Sequence, residues 1–237
     1  VNAYYQKGMM AAALRAIPSE IPDPQKMGIT ENILQFADRP HGLVLVVGPT
    51  GSGKSTTLAC MINRINEQRA CRIITVEDPI EFYHTGMQAT IDQRELHADT
   101  KSFASALKYI LRQDPDVILV GEMRDQETIS AALTAAETGH LVFATLHTND
   151  AVQTIDRIID VFPAHQQSQI RTQLAASLQA VVSQRLVLGS SGKRHVAFEV
   201  MVGSIAICNL IRENKMHQAL GMMETSKSMG MITMDAS

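Results

Sequence analysis

Eight consecutive residues, Gly48-Pro-Thr-Gly-Ser-Gly-Lys54-Ser55, match the pattern G-x-x-x-x-G-K-[ST], with an apolar run before them and a helical pattern after. The glycines let backbone N–H groups curl around anionic oxygens with no Cβ in the way. The Lys54 ammonium suits the β- and γ-phosphates of a nucleoside triphosphate, and the Ser55 hydroxyl suits Mg²⁺. The positive end of the following helix dipole faces the same polyanion. The expected binding set is Gly48, Pro49, Thr50, Gly51, Ser52, Gly53, Lys54, Ser55 and Thr56, with ATP and Mg²⁺ as cofactors.

Three further clusters carry acids and imidazoles. Ile74-Thr-Val-Glu77-Asp78-Pro-Ile-Glu81 puts a carboxylate at the carboxyl end of a strand, where ligands sit in open α/β sheets. Glu77 is the candidate to orient or deprotonate an attacking water, and Asp78 is suited to positioning a neighbour. Asp116-Val-Ile-Leu-Val-Gly-Glu122-Met-Arg124-Asp125 runs an apolar strand into an acid, as a Walker B segment does, which makes Glu122 the metal-side carboxylate beside Ser55. Arg124 and Asp125 are read as an ion pair or as the cap of the next helix. In Thr138-Gly-His140-Leu-Val-Phe-Ala-Thr-Leu-His147-Thr148 a strand has a histidine at each end, and a period of two would point them to opposite faces. No Cys or His set accompanies them, so metal ligation by these histidines is unsupported.

The elements that must position these groups follow from hydrophobic patterning. Continuous apolar runs at Leu43–Val47, Arg72–Val76, Val117–Val120 and Leu141–Thr145 read as strands buried on both faces. Helical patterns fill Ile29–Ala37, Lys54–Gln68, Lys101–Arg112 and Asp125–Glu137. Such alternation implies a mostly parallel sheet with crossover helices, an α/β architecture of P-loop type. Ile170, Leu174, Leu178, Val181 and Val182 recur at helical spacing, which predicts one helix over Gln166–Arg185. Gly189–Gly192 then predicts a turn before a strand at Val196–Met201. Three prolines between Ile17 and Pro24 mark a linker, with a domain boundary near Pro18 to Gly28. The β-like run Val1–Tyr5 and the ending at Ser237 suggest a piece of a longer chain. There is no internal repeat, and the thirteen methionines read as core filler.

Composition narrows the class. An apolar content of 45% supports a large core. Cys60, Cys71 and Cys208 are odd in number with no C-x-x-C spacing, which fits a reducing compartment without a disulfide framework. No run approaches the length needed to cross a bilayer, so membrane association is expected through partners. A formal net charge of −3, 4% aromatics and no tryptophan argue against a nucleic-acid groove.

Taken together, the four clusters resemble the type II/IV secretion and type IV pilus ATPase superfamily in order and spacing. The second and fourth are its Asp box and His box. The resemblance implies a RecA-like core, Glu77 acting on water, and His140 and His147 sensing the nucleotide or its γ-phosphate. Ala206-Ile-Cys-Asn-Leu-Ile-Arg-Glu213 is similar to a segment of the twitching-motility, pilus-retraction branch, with Cys208 where that branch has arginine. The resemblance further implies residues 1–16 as the remnant of a PAS-like N-terminal domain, 17–28 as linker, and 29–237 as an ATPase domain lacking its C-terminal helical part. It implies a hexameric ring in which Arg94, in Gln93-Arg-Glu95, and Arg15 reach a γ-phosphate. It also implies a cytoplasmic location peripheral to an inner-membrane pilus machine, with a platform protein as partner.

On this reading the chain is a Mg-ATP-hydrolysing motor of pilus retraction. The nearest alternative, a pilus-assembly or type II secretion ATPase, shares all four clusters but carries a four-cysteine zinc insertion, and no cysteine lies between Cys71 and Cys208 here. A nucleic-acid translocase on the same core would need a basic channel. A scaffold that binds nucleotide without turnover shares the same loop.

Overall fold

The computed structural model describes residues 2–14, 16–18, 20–189 and 192–237. An antiparallel hairpin of β1 (Asn2–Gln6) and β2 (Met9–Ala13) forms a sheet of its own. The proline-bearing stretch follows, and then a short α1 (Glu31–Leu34) continued by a 3-10 turn to Asp38.

The main sheet is built by the apolar runs. They become β3 (Gly42–Val47), β4 (Arg72–Glu77), β6 (Val117–Val120) and β7 (Leu141–Leu146), with β5 (Thr90–Glu95) preceding β6. Between them run α2 (Lys54–Gln68), α3 (Phe103–Ile110) and α4 (Gln126–Glu137), after which come α5 (Ala151–Asp160) and α6 (Ala164–Ser177). A final pair, β8 (Leu178–Leu188) and β9 (Arg194–Val202), precedes α7 (Ile205–Arg212) and α8 (Ala219–Thr225). Among the described residues the sheet has seven strands in the order β5-β4-β6-β7-β3-β8-β9, all parallel to their neighbours except β9.

Every residue of β3, β6 and β7 is buried because helices cover both faces. On one face α1 and α2 pack Ile33, Phe36, Met61 and Ile65 against Val44, Val46, Ile73 and Phe143. On the other, Leu107, Leu133, Ile158 and Leu174 pack against Leu43, Leu45, Ile74 and Val142. Parallel strands end at the same edge, so the segments after β3, β4, β6 and β7 emerge together.

The helix expected over Gln166–Arg185 is corrected: it stops at Ser177, where Leu178 turns extended (φ −64°, ψ 122°), and Leu178, Val181 and Val182 belong to β8. Spacing alone does not separate a buried helix from a buried strand, and the pairing of β8 with both β3 and β9 decides it. Val181 and Val182 then serve opposite faces. Among the strands and α-helices, β2, β5, α5 and α8 escaped the sequence reading. β5 is a polar edge strand, and α5 is announced mainly by Asp150, whose side chain accepts the Gln153 N–H. Cys208 points inward and is buried, while Asn209, Arg212 and Glu213 of the same helix are exposed.

Candidate active site

The loop after β3 needs its glycines for shape. Gly48, Gly51 and Gly53 all have positive φ, at 145°, 78° and 93°. A Cβ on Gly48 would stand 2.3 Å from the Gln184 carbonyl oxygen, so no larger residue fits between this loop and β8. Gly53 is the left-handed N-cap of α2, which aims the first N–H groups of that helix into the loop. The buried Lys54 folds back so that Nζ donates to the carbonyls of Gly48 (2.8 Å) and Pro49 (3.1 Å). Burial pushes its pKa down, against the upward pull of Glu122 and Glu81. A cation so placed gains from a polyanion delivered to the loop.

Carboxylates and the His147 imidazole gather at the same edge. Glu77, the last residue of β4, accepts from Thr75 Oγ1 (2.6 Å) and Gln93 Nε2 (3.2 Å). Burial raises its pKa, and those hydrogen bonds only partly offset the rise. Such a carboxylate is poised to take up a proton. At Glu122, burial pushes upward but is outweighed by Arg124 and His147, so its pKa lies below the ordinary value. Arg124 Nε lies 2.5 Å from Glu122 Oε1, and His147 Nε2 lies 3.3 Å from the same oxygen. The other ring nitrogen of His147 is 3.4 Å from Lys54 Nζ. His147 thus stands between the Glu122 carboxylate and the Lys54 ammonium, one ring nitrogen toward each. Arg124 therefore pairs with Glu122, and the helix cap is Asp125, whose Oδ1 accepts the Thr128 N–H at 2.8 Å.

Two cavities flank the loop. Ser55, Glu77, Glu122 and Arg124 line one of about 340 Å³, which also meets His84 and Phe103. Thr56 opens onto the other, of about 130 Å³, whose walls include Met27, Ile29, Leu186 and Val196. The first offers hard oxygen donors next to Ser55, the donor chemistry Mg²⁺ takes when phosphates and water complete its shell. The second is apolar, as suits the face of a base.

Two expected site residues do not join this cluster, one for its end of the strand and the other for its face. His140 precedes β7 and lies at its amino end, with Nδ1 2.9 Å from Ala135 O and 3.3 Å from Thr138 Oγ1. A strand rising about 3.3 Å per residue separates it from His147 by about 20 Å. The two histidines thus differ by end of strand more than by face. Arg94 shares β5 with Gln93 but projects to the opposite face, where Nη2 donates to Gln113 Oε1 at 2.8 Å. Arg15 lies outside the described residues. Replacement of His147 by Ala is expected to lower phosphate release about tenfold or more, whereas His140→Ala leaves it within about twofold; equal losses from the two would remove the distinction drawn here.

Sequence reasoning missed Gln93, which orients Glu77, and Gln184, which is buried on β8 and donates to the Ser52 carbonyl at 2.7 Å. A signal existed for the second: Ser183 and Gln184 are polar residues continuing the apolar run of β8.

A glycine-rich loop between strand and helix, with acids from two further strand ends and an imidazole between them, defines a P-loop nucleotide-binding protein of α/β type. The chain belongs to the type II/IV secretion system protein family, whose model matches residues 12–231. It is 52% identical over 235 residues to the type IV pilus retractation ATPase PilT of Pseudomonas aeruginosa, covering 99% of this chain and 68% of that protein. To a twitching motility protein of Neisseria gonorrhoeae it is 53% identical over 238 residues, covering 100% of this chain and 64% of the relative. Among solved structures, that of the pilus retraction motor PilT with bound ADP matches with a TM-score of 0.90 at 50% identity, over 99% of this chain and 72% of that one. The chain thus spans about two thirds of the length of these relatives.

Proposed function

We propose that this chain is the catalytic part of a motor that hydrolyses Mg-ATP to ADP and phosphate and drives retraction of a type IV pilus. The observation that carries the reading is the meeting of Lys54, Ser55, Glu77, Glu122 and His147 at one sheet edge. The loop from Gly48 to Thr56 would hold the triphosphate, the apolar cavity being suited to its base and the acidic cavity to the Mg²⁺-bearing phosphates. Lys54 exchanges its carbonyl partners for phosphate oxygens. Ser55 and Glu122 would hold Mg²⁺, which neutralises charge on the β- and γ-phosphates. Glu77, its pKa raised, orients the attacking water and takes its proton. His147 links the nucleotide's lysine to Glu122 and so senses occupancy.

Residues 1–16 are read as the end of a PAS-like domain, 17–28 as a linker and 29–237 as the ATPase domain. The working unit is a hexameric ring, cytoplasmic and peripheral to an inner-membrane platform protein. Arg94 lies on the edge strand of the sheet, from which it reaches a nucleotide held by a neighbouring subunit, with Arg15 as a second candidate. No helix among the described residues is long and apolar enough to cross a membrane.

Retraction is favoured over secretion by the extent of likeness. Identity to the Pseudomonas retraction ATPase runs over 99% of this chain, whereas identity to type II secretion system protein E of Klebsiella pneumoniae, at 48%, covers 68%. Deleting the gene and counting surface pili tests the direction. Excess pili that no longer retract are expected, and loss of pili would assign the chain to assembly instead.

A further inference from the structure

Three adjacent residues of β8 touch both halves of the site. Ser183 and Gln184 are buried neighbours on one strand, so their side chains leave on opposite faces. On the α2 side, Gln184 Nε2 donates to the Ser52 carbonyl at 2.7 Å, and the Gln184 carbonyl occupies the space that makes Gly48 obligatory. On the α5 side, Ser183 Oγ donates to the Asn149 carbonyl at 2.9 Å, and Arg185 Nη2 reaches the same oxygen at 3.4 Å.

The cross-strand partner of Ser183 is Glu199 on β9. This buried carboxylate accepts the Ala151 N–H through Oε1 at 2.7 Å. Ser183 and Glu199 together therefore grip the backbone from Asn149 to Ala151, two residues beyond His147. Past Gln184 the strand leaves the core, and Arg185, Leu186, Val187 and Leu188 are exposed. The Ser183–Gln184 pair is thus the last buried step of β8 and the point where the strand meets the phosphate loop on one face and the His147 loop on the other.

We propose that Ser183, Gln184 and Glu199 are positioning residues that set the phosphate loop and His147 relative to each other, Gln184 through nucleotide grip and Ser183 with Glu199 through turnover. This rests on the ATPase reading given above. Hydrogen bonds to a backbone carbonyl fix where a loop sits without touching the ligand, so the two faces of one strand act on separable steps.

The full-length protein tests this with two readouts, fluorescent ADP-analogue affinity and steady-state phosphate release. Ser183→Ala is expected to lower kcat about fivefold, the worth of one buried hydrogen bond, with ADP affinity within about twofold. Ser183→Thr, which keeps the hydroxyl, restores kcat. Gln184→Met, near in shape but without the donor, is expected to weaken ADP binding about fivefold and raise KM. Glu199→Leu, which removes the acceptor for the Ala151 N–H, is expected to lower kcat about fivefold with ADP affinity within about twofold, as Ser183→Ala does. The assignment is overturned if Ser183→Ala and Gln184→Met lose kcat and affinity in parallel with a drop in Tm, or if neither readout moves. A parent protein that neither binds nucleotide nor releases phosphate overturns the ATPase reading and this one with it, whereas an active parent with unsplit variants overturns only the positioning role.

Discussion

Lys54→Met is expected to bring ATP turnover down about a thousandfold and to weaken ADP binding about tenfold to a hundredfold. The ammonium is the buried cation of the loop, 2.8 and 3.1 Å from two carbonyls that phosphate oxygens replace. Charge-assisted hydrogen bonds are worth about 1.5–3 kcal/mol each, and tenfold in affinity is about 1.4 kcal/mol. The larger effect on rate follows because charge on the transferring phosphoryl group is stabilised most where the site is already organised. Stability without nucleotide is expected to hold. Burial lowers the Lys54 pKa in the fold, so the lysine carries a stability cost that is full below the lowered value and fades as pH rises from it to the ordinary lysine value, and an uncharged side chain removes that cost at neutral pH. Calorimetric melting and nucleotide titration separate these effects, and unchanged ADP affinity in Lys54→Met would contradict the binding geometry.

Glu77→Gln is expected to cut kcat about a hundredfold to ten-thousandfold while nucleotide affinity stays within about threefold. Glutamine preserves the acceptor that Thr75 and Gln93 address but cannot take a proton. The sign of the stability change runs the other way. A carboxylate whose folded pKa is raised binds more protons in the fold than in the unfolded chain between its ordinary value and the raised one. Its contribution is favourable below that window and is lost as pH rises through it, so at neutral pH the ionised Glu77 costs stability. Glu77→Gln is therefore expected to raise Tm at pH 7 as it abolishes turnover. The acid limb of kcat in the parent enzyme should lie above the usual carboxylate range and vanish in the variant. Full turnover in Glu77→Gln would remove this residue from proton transfer and leave Lys54 and Glu122 to be tested alone.

Much of this site is legible in sequence because its parts are local. Gly48 to Ser55 needs positive φ, a lysine and a hydroxyl at fixed offsets on a strand, loop and helix, and those requirements are met within eight residues. Glu77 and Glu122 are readable for a related reason: each ends an apolar run, and in a parallel sheet the ends of such runs share an edge. Asp125 as a helix cap and the core strands β3, β6 and β7 follow the same local logic.

What the sequence by itself determined is therefore the α/β class, the phosphate loop and the acids at strand ends, since backbone conformation and hydrophobic period are properties of neighbours along the chain. Tertiary structure alone decided which histidine joins them. His140 and His147 bracket one strand symmetrically in the sequence, but only the carboxyl end of β7 meets Lys54 and Glu122. It also decided that Leu178 to Val182 form strand rather than helix, because pairing with β3 and β9 supplies hydrogen bonds that no local pattern encodes. Gln93, Ser183, Gln184 and Glu199 gain their roles from partners far away in sequence, and such contacts exist only once the sheet has closed.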